Sequence, residues 1–371
     1  MQREALLRAY ANTDLKPSKH ATNARLALLR NNLHPAAHKE AALLELGTEV
    51  PPPLLRQFLS QLFAAVRLEA LAHGNVGEAD AAAAAAMCRE VAAAAAAASS
   101  AALEEAAGAA VAAAAADARA LRYPEQRVLK LSAMQHLVHC VEVKDLTESN
   151  SALEAYWQIG PDTLQARAAA DLLEEIMSEP LYDQLRTKEQ LGYAVGCGVR
   201  VTAGVLGFVV RVQSASHGPA HLYKRTHSFL REFGKLLKSL KGDEWSDYTM
   251  SLAKNKLQRD YSLSEEAGRH WPEIDNRRYA FHHNLDEARA VLAIRKKVLA
   301  EKFRDWFVDG SPGCRRMTVL VCGARRPAAA ELAAFRGAVG AAVAKGVAVV
   351  EVPDVAGLRF ADGVEFFPNF V

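Results

Sequence analysis

The chain has 371 residues and lacks several features that mark common classes of protein. Its net charge is only +2, from 45 basic and 43 acidic residues, so no global field gathers nucleic acid or draws the chain to an anionic membrane. Its five cysteines are odd in number and widely spread, which argues against a disulfide framework and favours a reducing compartment. The longest apolar run is mostly alanine and is interrupted by charges, so we expect no membrane-spanning helix.

Several catalytic motifs are also missing. Without Gly-x-Ser-x-Gly, a P-loop or a dinucleotide-type glycine motif, neither acyl-enzyme chemistry nor nucleotide binding has support in the sequence. Two histidine pairs, His34/His38 and His217/His221, are spaced four apart, as two zinc ligands on one helix face would be. Both pairs have alanine where the inverted zinc motif His-x-x-Glu-His needs glutamate, and both contain a proline. We therefore interpret them as exposed or capping histidines, and we expect no metal bound by this chain.

The length and the apolar half of the composition suffice for about two domains. Residues 1–73 are predicted to form three helices followed by a short buried strand in "VRLEALAHGN". The sequence "MQREALLRAY" has helical spacing from the start and no signal-peptide core, so we expect a preceding N-terminal portion to be missing. The alanine-rich tract from about 79 to 120 predicts a helix, because alanine has the highest helix propensity.

The pattern changes to mixed helices and strands from residue 122 onward. "SALEAYWQI" is strand-like, and "YAVGCGVRV" with "VLGFVVRVQS" predicts a β-hairpin whose turn lies near Thr202 to Gly204. Helices are predicted at about 219–240, 243–266 and 285–308, and further strands at "RRMTVLVCG" and 347–352. We predict an α+β fold with three regions: 1–78, part of a middle domain; 79–121, a helical linker; and 122–371, a C-terminal domain.

The stretch "LRTKEQLGYAVG" at 185–196 has the strongest functional signal in the chain. Pro180 is expected to interrupt the helix before it, and Gly192 to end the helix that carries Arg186. Tyr193 then opens the next strand, so a cation at a helix end and a phenol at a strand start are predicted to converge at the sheet edge. From the residues alone, an ordinary Arg–carboxylate pair beside a half-buried tyrosine remains an alternative.

The sequence around this stretch, "SEPLYDQLRTKEQLGYAV", resembles the C-terminal half of the insulysin and nardilysin branch of the pitrilysin-type zinc metallopeptidases. Further similar segments follow the order of the family and cover most of the chain outside the alanine tract and the last 45 or so residues. These segments are "RLALLRNNL" (25–33), "FLSQLFAAVRLEALAHGNV" (58–76), "AYWQIG" (155–160), "VVRVQS" (209–214), "HWPEI" (270–274) and "VLVCG" (319–323).

The resemblance implies a peptidase of four similar α+β domains in two halves, with an antiparallel-rich sheet and helices on one face in each domain. This chain resembles the end of the third domain plus a complete fourth domain. Zinc is expected only in the N-terminal half, as cofactor of the complete enzyme, and His-x-x-Glu-His is absent here. Arg186 and Tyr193 match the arginine and tyrosine that reach substrate and oxyanion in such enzymes.

Two functions follow as expectations. In the first, the chain is the non-zinc half of an insulysin-like metalloendopeptidase, works with a zinc-bearing N-terminal half on peptide substrates, and is inactive alone. In the second, it is a non-catalytic peptide-binding or scaffolding subunit of the same superfamily. We expect a cytoplasmic protein, or an organellar one if an N-terminal segment is missing, and no nucleic-acid partner.

Overall fold

A computed structural model describes residues 2–46, 52–63, 66, 68–107, 126–258, 262–276, 278–354 and 364–368. The contacts divide the chain into two compact units that do not follow the three predicted regions. One consists of 1–7, 38–125 and 259–281, and the other of 8–37, 126–258 and 282–371. The segment 8–37 therefore belongs with the sheet described below, although the sequence grouped it with the middle domain.

The first unit is built mainly from helices. They include most of α3 (Ala36–Glu45), α4 (Pro52–Phe63), α5 (Glu78–Ala107) and α9 (Leu263–Asp275). The Tyr279 hydroxyl donates a hydrogen bond to the Glu69 carboxylate at 3.1 Å. Within the described part of "VRLEALAHGN" there is no strand, so the predicted buried strand is wrong there, and Leu68 is exposed.

A six-stranded mixed sheet organises the second unit. Its strands lie in the order β3-β4-β2-β5-β1-β6, with β1–β5 and β1–β6 parallel and the other three pairs antiparallel. The bounds are β1 Gln135–Glu142, β2 Ser151–Pro161, β3 Ala194–Thr202, β4 Val205–Ser214, β5 Arg315–Cys322 and β6 Ala348–Glu351. The α+β class and the antiparallel-rich sheet are confirmed.

The predicted hairpin is present, with β3 and β4 joined by the two residues Ala203 and Gly204. Both have positive φ, +41° and +75°, as the tight turns favoured by twisted hairpins require. Alternation along β4 is strict: Leu206, Phe208, Val210 and Val212 pack into the core on one face of the sheet. The β3 strand forms one edge of the sheet.

In the described part of the chain most helices that contact this sheet pack on one face, as predicted, and one helix near the N-terminus packs on the opposite face. The larger core contains residues of α6 (Leu164–Tyr182), α7 (Pro219–Ser239), α11 (Lys296–Phe307) and α12 (Ala328–Ala338). On the opposite face α2 (Pro17–Leu29) packs through small and aliphatic side chains against β2, β4 and β5. Small side chains such as Ala21 and Ala24 allow the α2 backbone to approach the strands closely.

A buried ion pair fastens α2 to the centre of the sheet. The Arg25 Nε donates to one oxygen of Glu154 on β2, and the Thr22 hydroxyl donates to the other at 2.6 Å. Both charged side chains are almost completely excluded from water, at 3% and 1% exposure. Because an isolated buried carboxylate is strongly unfavourable, Arg25 and Thr22 together make Glu154 tolerable in the core.

The helix predictions need four corrections. The described part of residues 1–73 contains four helices rather than three, since α1 (Gln2–Ala11) precedes α2, α3 and α4. The helix predicted at 243–266 ends at Leu257 as α8 (Gly242–Leu257), and α9 is separate. The helix predicted at 285–308 is divided into α10 (His283–Ala293) and α11. The short α13 (Gly340–Val343), which the sequence did not predict, precedes β6.

Pro180 does not interrupt its helix, because α6 continues through it to Tyr182. A proline inside a helix typically costs about 3 kcal/mol. Here Ile176, Met177 and Leu181 are fully buried on either side of it, so packing outweighs the missing hydrogen bond.

The alanine-rich helix α5 is described to Ala107, and the rest of the predicted linker lies outside the described residues. Its 22 residues Glu78–Ser99 are long and apolar enough to cross a membrane by length and composition alone. Alanine supplies most of that apolar character, so this is weak evidence for a span, and the absence of one stays a prediction.

Candidate functional site

The segment that carries Arg186 is a wider turn of helix continuing directly from α6. Residues Asp183–Lys188 form a π-helical turn, and Glu189 follows as its cap, with its N–H bonded to the Gln184 carbonyl at 3.0 Å. Leu185 is fully buried and anchors the turn to the core. Such wide turns within helices are often found at functional sites.

Gln190, rather than Gly192, is the residue of positive φ at which the chain turns, with φ of +51°. The predicted helix stop at Gly192 is therefore wrong in position, since the helical turn ends at Lys188. Gly192 has a different role: a Cβ there would lie 1.8 Å from the backbone carbonyl oxygen of Gln213 on β4. Glycine is needed because the incoming backbone passes directly against the neighbouring strand.

Gly192→Ala is expected to lower the free energy of unfolding by about 1–3 kcal/mol, because the obstructing atoms are backbone and the chain must shift. Chemical denaturation measures the effect. Gly196→Ala on β3 is the matched control, since a Cβ there meets nothing within 4 Å. Equal stabilities of the two variants would show that the contact at Gly192 imposes no constraint.

Arg186 and Tyr193 lie together at the start of the edge strand. The Arg186 Nη1 donates to the backbone carbonyl of Tyr193 at 2.6 Å, and the guanidinium carbon lies 4.9 Å from the ring centroid of Tyr182. Arg186 thus bonds a backbone carbonyl rather than the carboxylate considered as an alternative. Tyr193 is 59% exposed, not half-buried. Both side chains are exposed, and the contact between the two residues runs from the Arg186 guanidinium to the Tyr193 backbone.

Gln213, which the sequence did not single out, holds the phenol of Tyr193. Its side-chain Nε2 donates to the Tyr193 hydroxyl oxygen, and its exposure is only 6%. Because the phenol oxygen accepts this bond, its own O–H is left to donate to another group. The pairing of Ala194 with Gln213 across the hairpin sets this geometry.

A second pair holds the loop that leads to Tyr193. The Arg225 guanidinium on α7 donates twice to the Glu189 carboxylate, at 2.7 and 2.8 Å, and Gln184 donates to it at 2.7 Å. The hydrogen bonds from Arg225 hold the pKa of the Glu189 carboxyl below its usual value. Glu189 and Arg225 are 36 positions apart, and nothing in the local sequence pattern links them.

The predicted histidine pairs do not form a zinc site. His217 and His221 are stacked, with ring centroids 4.8 Å apart and planes inclined by 19°. Ring-nitrogen lone pairs lie in the ring planes, so two stacked rings do not direct them at one ion about 2.0–2.1 Å from each. His34 and His38 are both exposed. Among the residues that the structure describes, no group of three or more His, Cys, Asp and Glu side chains is arranged to hold a metal.

Two cavities flank the segment from Asp183 to Tyr193. One, of about 460 Å³, lies between this segment and α7 and is lined by Glu189, Arg225 and a mixture of other charged, polar and apolar side chains, but neither Arg186 nor Tyr193 lines it. The other, of about 280 Å³, lies between α2 and the β3–β4 hairpin. Ala194 and Gln213 line this second cavity, so it adjoins Tyr193 directly.

Comparisons with known proteins agree on one group of peptidases. Residues 172–271 match the family described as PQQ synthase PqqF-like, C-terminal lobe domain 4. A nardilysin-like protein of Arabidopsis thaliana is 33% identical over 324 residues, which cover 86% of this chain and 29% of that protein. The insulin-degrading enzyme of Drosophila melanogaster is 33% identical over 158 residues, covering 43% of this chain and 16% of the enzyme.

The fold has a counterpart among solved structures. The crystal structure of pitrilysin matches with a TM-score of 0.66 at 18% identity, covering 99% of this chain and 34% of pitrilysin. At that identity the match shows the fold alone. The chain spans 29% of the length of the Arabidopsis relative and smaller fractions of the animal nardilysins, so each similarity concerns one part of a longer protein.

Proposed function

The chain belongs to the insulysin and nardilysin branch of the pitrilysin-type metallopeptidases, and from that premise we propose that it serves as the C-terminal, non-zinc half of a peptide-cleaving enzyme. It binds the peptide and donates hydrogen bonds to the reacting carbonyl, while the zinc site lies in an N-terminal half. That half is either part of the same polypeptide or a separate subunit.

The observation that carries this proposal is the contact between Arg186 and the backbone of Tyr193 at the edge of the sheet. Both side chains are exposed, and both are held by hydrogen bonds to rigid parts of the fold: Arg186 to a backbone carbonyl and Tyr193 to Gln213. Donors fixed before the reaction cost no reorganisation when charge develops. An Arg–carboxylate pair would have neutralised the cation, and the structure has none at this position among the described residues.

The Arg186 guanidinium and the Tyr193 phenol both suit the hydrolysis of a peptide bond. When water adds to the scissile carbonyl carbon, the carbonyl oxygen becomes an oxyanion that needs hydrogen-bond donors. A phenol O–H and a guanidinium N–H are both donors, and the guanidinium also carries a permanent positive charge. Zinc bound in the other half would supply the activated water and would polarise the carbonyl. The residues of this chain therefore complement that chemistry rather than replace it.

The hairpin formed by β3 and β4 extends this site into a wall along the peptide. Its edge strand β3 begins one residue after Tyr193 and carries Gly196, where a Cβ would meet no atom within 4 Å and the backbone is accessible. The Glu174 carboxylate accepts from the Val199 N–H at 2.7 Å, which covers one outward edge group, and burial raises the pKa of Glu174. We propose that the part of the β3 edge that Glu174 does not cover lines the substrate chamber.

The isolated chain is expected to bind peptides but not to hydrolyse them. A fluorogenic peptide incubated with the pure chain and added zinc is expected to show no turnover, because the described residues provide no set of metal ligands. Fluorescence anisotropy with a labelled, non-cleavable peptide measures binding in the same preparation. Turnover that a chelator abolishes would contradict the proposed division of labour.

A further inference from the structure

The cavity between α2 and the hairpin contains a cation that forms no ion pair with any carboxylate in the described part of the chain. Arg211 on β4 lines it, and among the described residues no carboxylate forms an ion pair with this side chain. The acidic residue among the described lining residues is Glu154, and Arg25 and Thr22 already occupy both of its oxygens. Glu154 lies directly opposite Arg211 in the β2–β4 pairing, so among the described residues Arg25 and Arg211 face one carboxylate here, an excess of one positive charge.

The space beside Arg211 exists because its partner across the hairpin is a glycine. Gly196 pairs directly with Arg211, and a Cβ at Gly196 would meet no atom within 4 Å. Directly paired residues lie on the same face of a sheet, so a larger residue at 196 would occupy the volume over the guanidinium. Arg211 itself is half-buried, which shields it partly from water and salt.

A second arginine strengthens the positive field. Arg200 lies on β3, and its pKa is lowered first by burial and then by the positive charges of Arg211 and Arg25, while the carboxylates of Glu174 and Glu154 act in the opposite direction. Two neighbouring cations at a partly buried surface repel each other, and an anion bound between them or beside them relieves that repulsion. Arg25, Arg200 and Arg211 together face the two carboxylates of Glu154 and Glu174, so this part of the hairpin keeps an excess of one positive charge that favours a further bound carboxylate.

The cavity is joined to the proposed reacting position by Gln213. This side chain lines the cavity and also donates to the Tyr193 hydroxyl, and it lies two residues from Arg211 on the same strand face. Two residues of strand span roughly 7 Å, which is also the spacing of alternate residues in an extended peptide. A substrate extended along β3 with its scissile carbonyl at Tyr193 would bring the residue two positions away to Arg211.

We propose that the cavity lined by Arg211 and Gly196 is a specificity subsite for a carboxylate of the bound peptide, held two residues from the scissile bond. The carboxylate comes from an Asp or Glu side chain or from the peptide C-terminus. This inference rests on the proposed peptide-binding function. In it, the chain selects among peptides by their charge, and Arg211 is the residue responsible.

The test uses labelled peptides that are acetylated and amidated and carry a single Glu moved along the sequence, each with a Gln counterpart. Kd for the full chain is measured by fluorescence anisotropy. At one Glu position binding is expected to be roughly tenfold tighter than for Gln, as a charge-assisted hydrogen bond at a half-buried site provides. Arg211→Gln is expected to remove the preference, and Arg211→Lys to retain part of it.

Arg289→Gln on α10 is the matched control, because it removes the same charge from an exposed position. A parallel peptide with a free C-terminal carboxylate separates the two sources: tighter binding of the free acid alone assigns the subsite to peptide ends. Equal Kd values for Glu and Gln peptides, or a preference that survives in Arg211→Gln, would overturn the subsite while leaving peptide binding intact. Failure of every peptide to bind would contradict the proposed function and the subsite together.

Discussion

Replacement of Tyr193 by phenylalanine is expected to lower kcat for peptide hydrolysis about 10²–10³-fold when the chain works with its zinc-bearing half. The substitution removes one hydroxyl and keeps the ring. It therefore eliminates a donor to the oxyanion and leaves the Gln213 amide without its acceptor. The KM is expected to change little, because the donor acts mainly on the charge that develops during reaction.

Tyr248→Phe is the control for this prediction, since it removes a hydroxyl from α8, distant in sequence from the site. Both variants are compared with the wild type by kcat, KM and circular dichroism. A Tyr193→Phe enzyme with the kcat of the Tyr248→Phe enzyme would exclude the phenol from transition-state stabilisation. A change confined to KM would assign Tyr193 to substrate binding instead.

Replacement of Arg25 by alanine is expected to lower the free energy of unfolding by about 3–5 kcal/mol, because it leaves the Glu154 carboxylate buried without its cation. The lost stability comes from the contact between α2 and the sheet. Since α2 also forms one wall of the cavity through Ser18 and Ala21, peptide discrimination at Arg211 should weaken with it. Chemical denaturation at neutral pH measures the stability.

Two comparisons test the physical reason for that loss. Lys235→Ala breaks an ion pair with Glu232 that is exposed on both sides, and it is expected to cost at most about 1 kcal/mol. The double variant Arg25→Met/Glu154→Leu removes both buried charges, and it is expected to recover most of the stability lost in Arg25→Ala. A double variant less stable than Arg25→Ala would show that packing, not an unpaired charge, determines the effect.

Much of the hairpin is predictable from the sequence. Alternating apolar residues set the face of β4, and Gly204 marks the turn. Counting outward from a two-residue turn pairs Ala194 with Gln213, which already brings Gln213 beside Tyr193. The contact between these two side chains is therefore within reach of sequence reasoning. Hairpin register follows from local rules, so such pairs can be read without a structure.

Other parts of the site depend on long-range packing that no local pattern encodes. Arg25 and Glu154 are 129 residues apart, and helical spacing in α2 does not reveal which strand it covers. Pro180 misled the prediction, because local propensity favours a break where burial of Met177 and Leu181 maintains the helix. The cavity likewise arises only when α2 packs on the sheet, so Arg211 had no distinguishing signal in the sequence.

The central claim is that this chain provides donors to a catalytic zinc carried by another half. It is tested most directly by the initial rate of a fluorogenic peptide in three mixtures: chain alone with zinc, zinc-bearing half alone, and both together. The account predicts full turnover only in the combined mixture, abolished by a chelator and reduced about 10²–10³-fold by Tyr193→Phe. Chelator-sensitive turnover by the chain alone, or an unchanged rate when the chain is added to the other half, would contradict it.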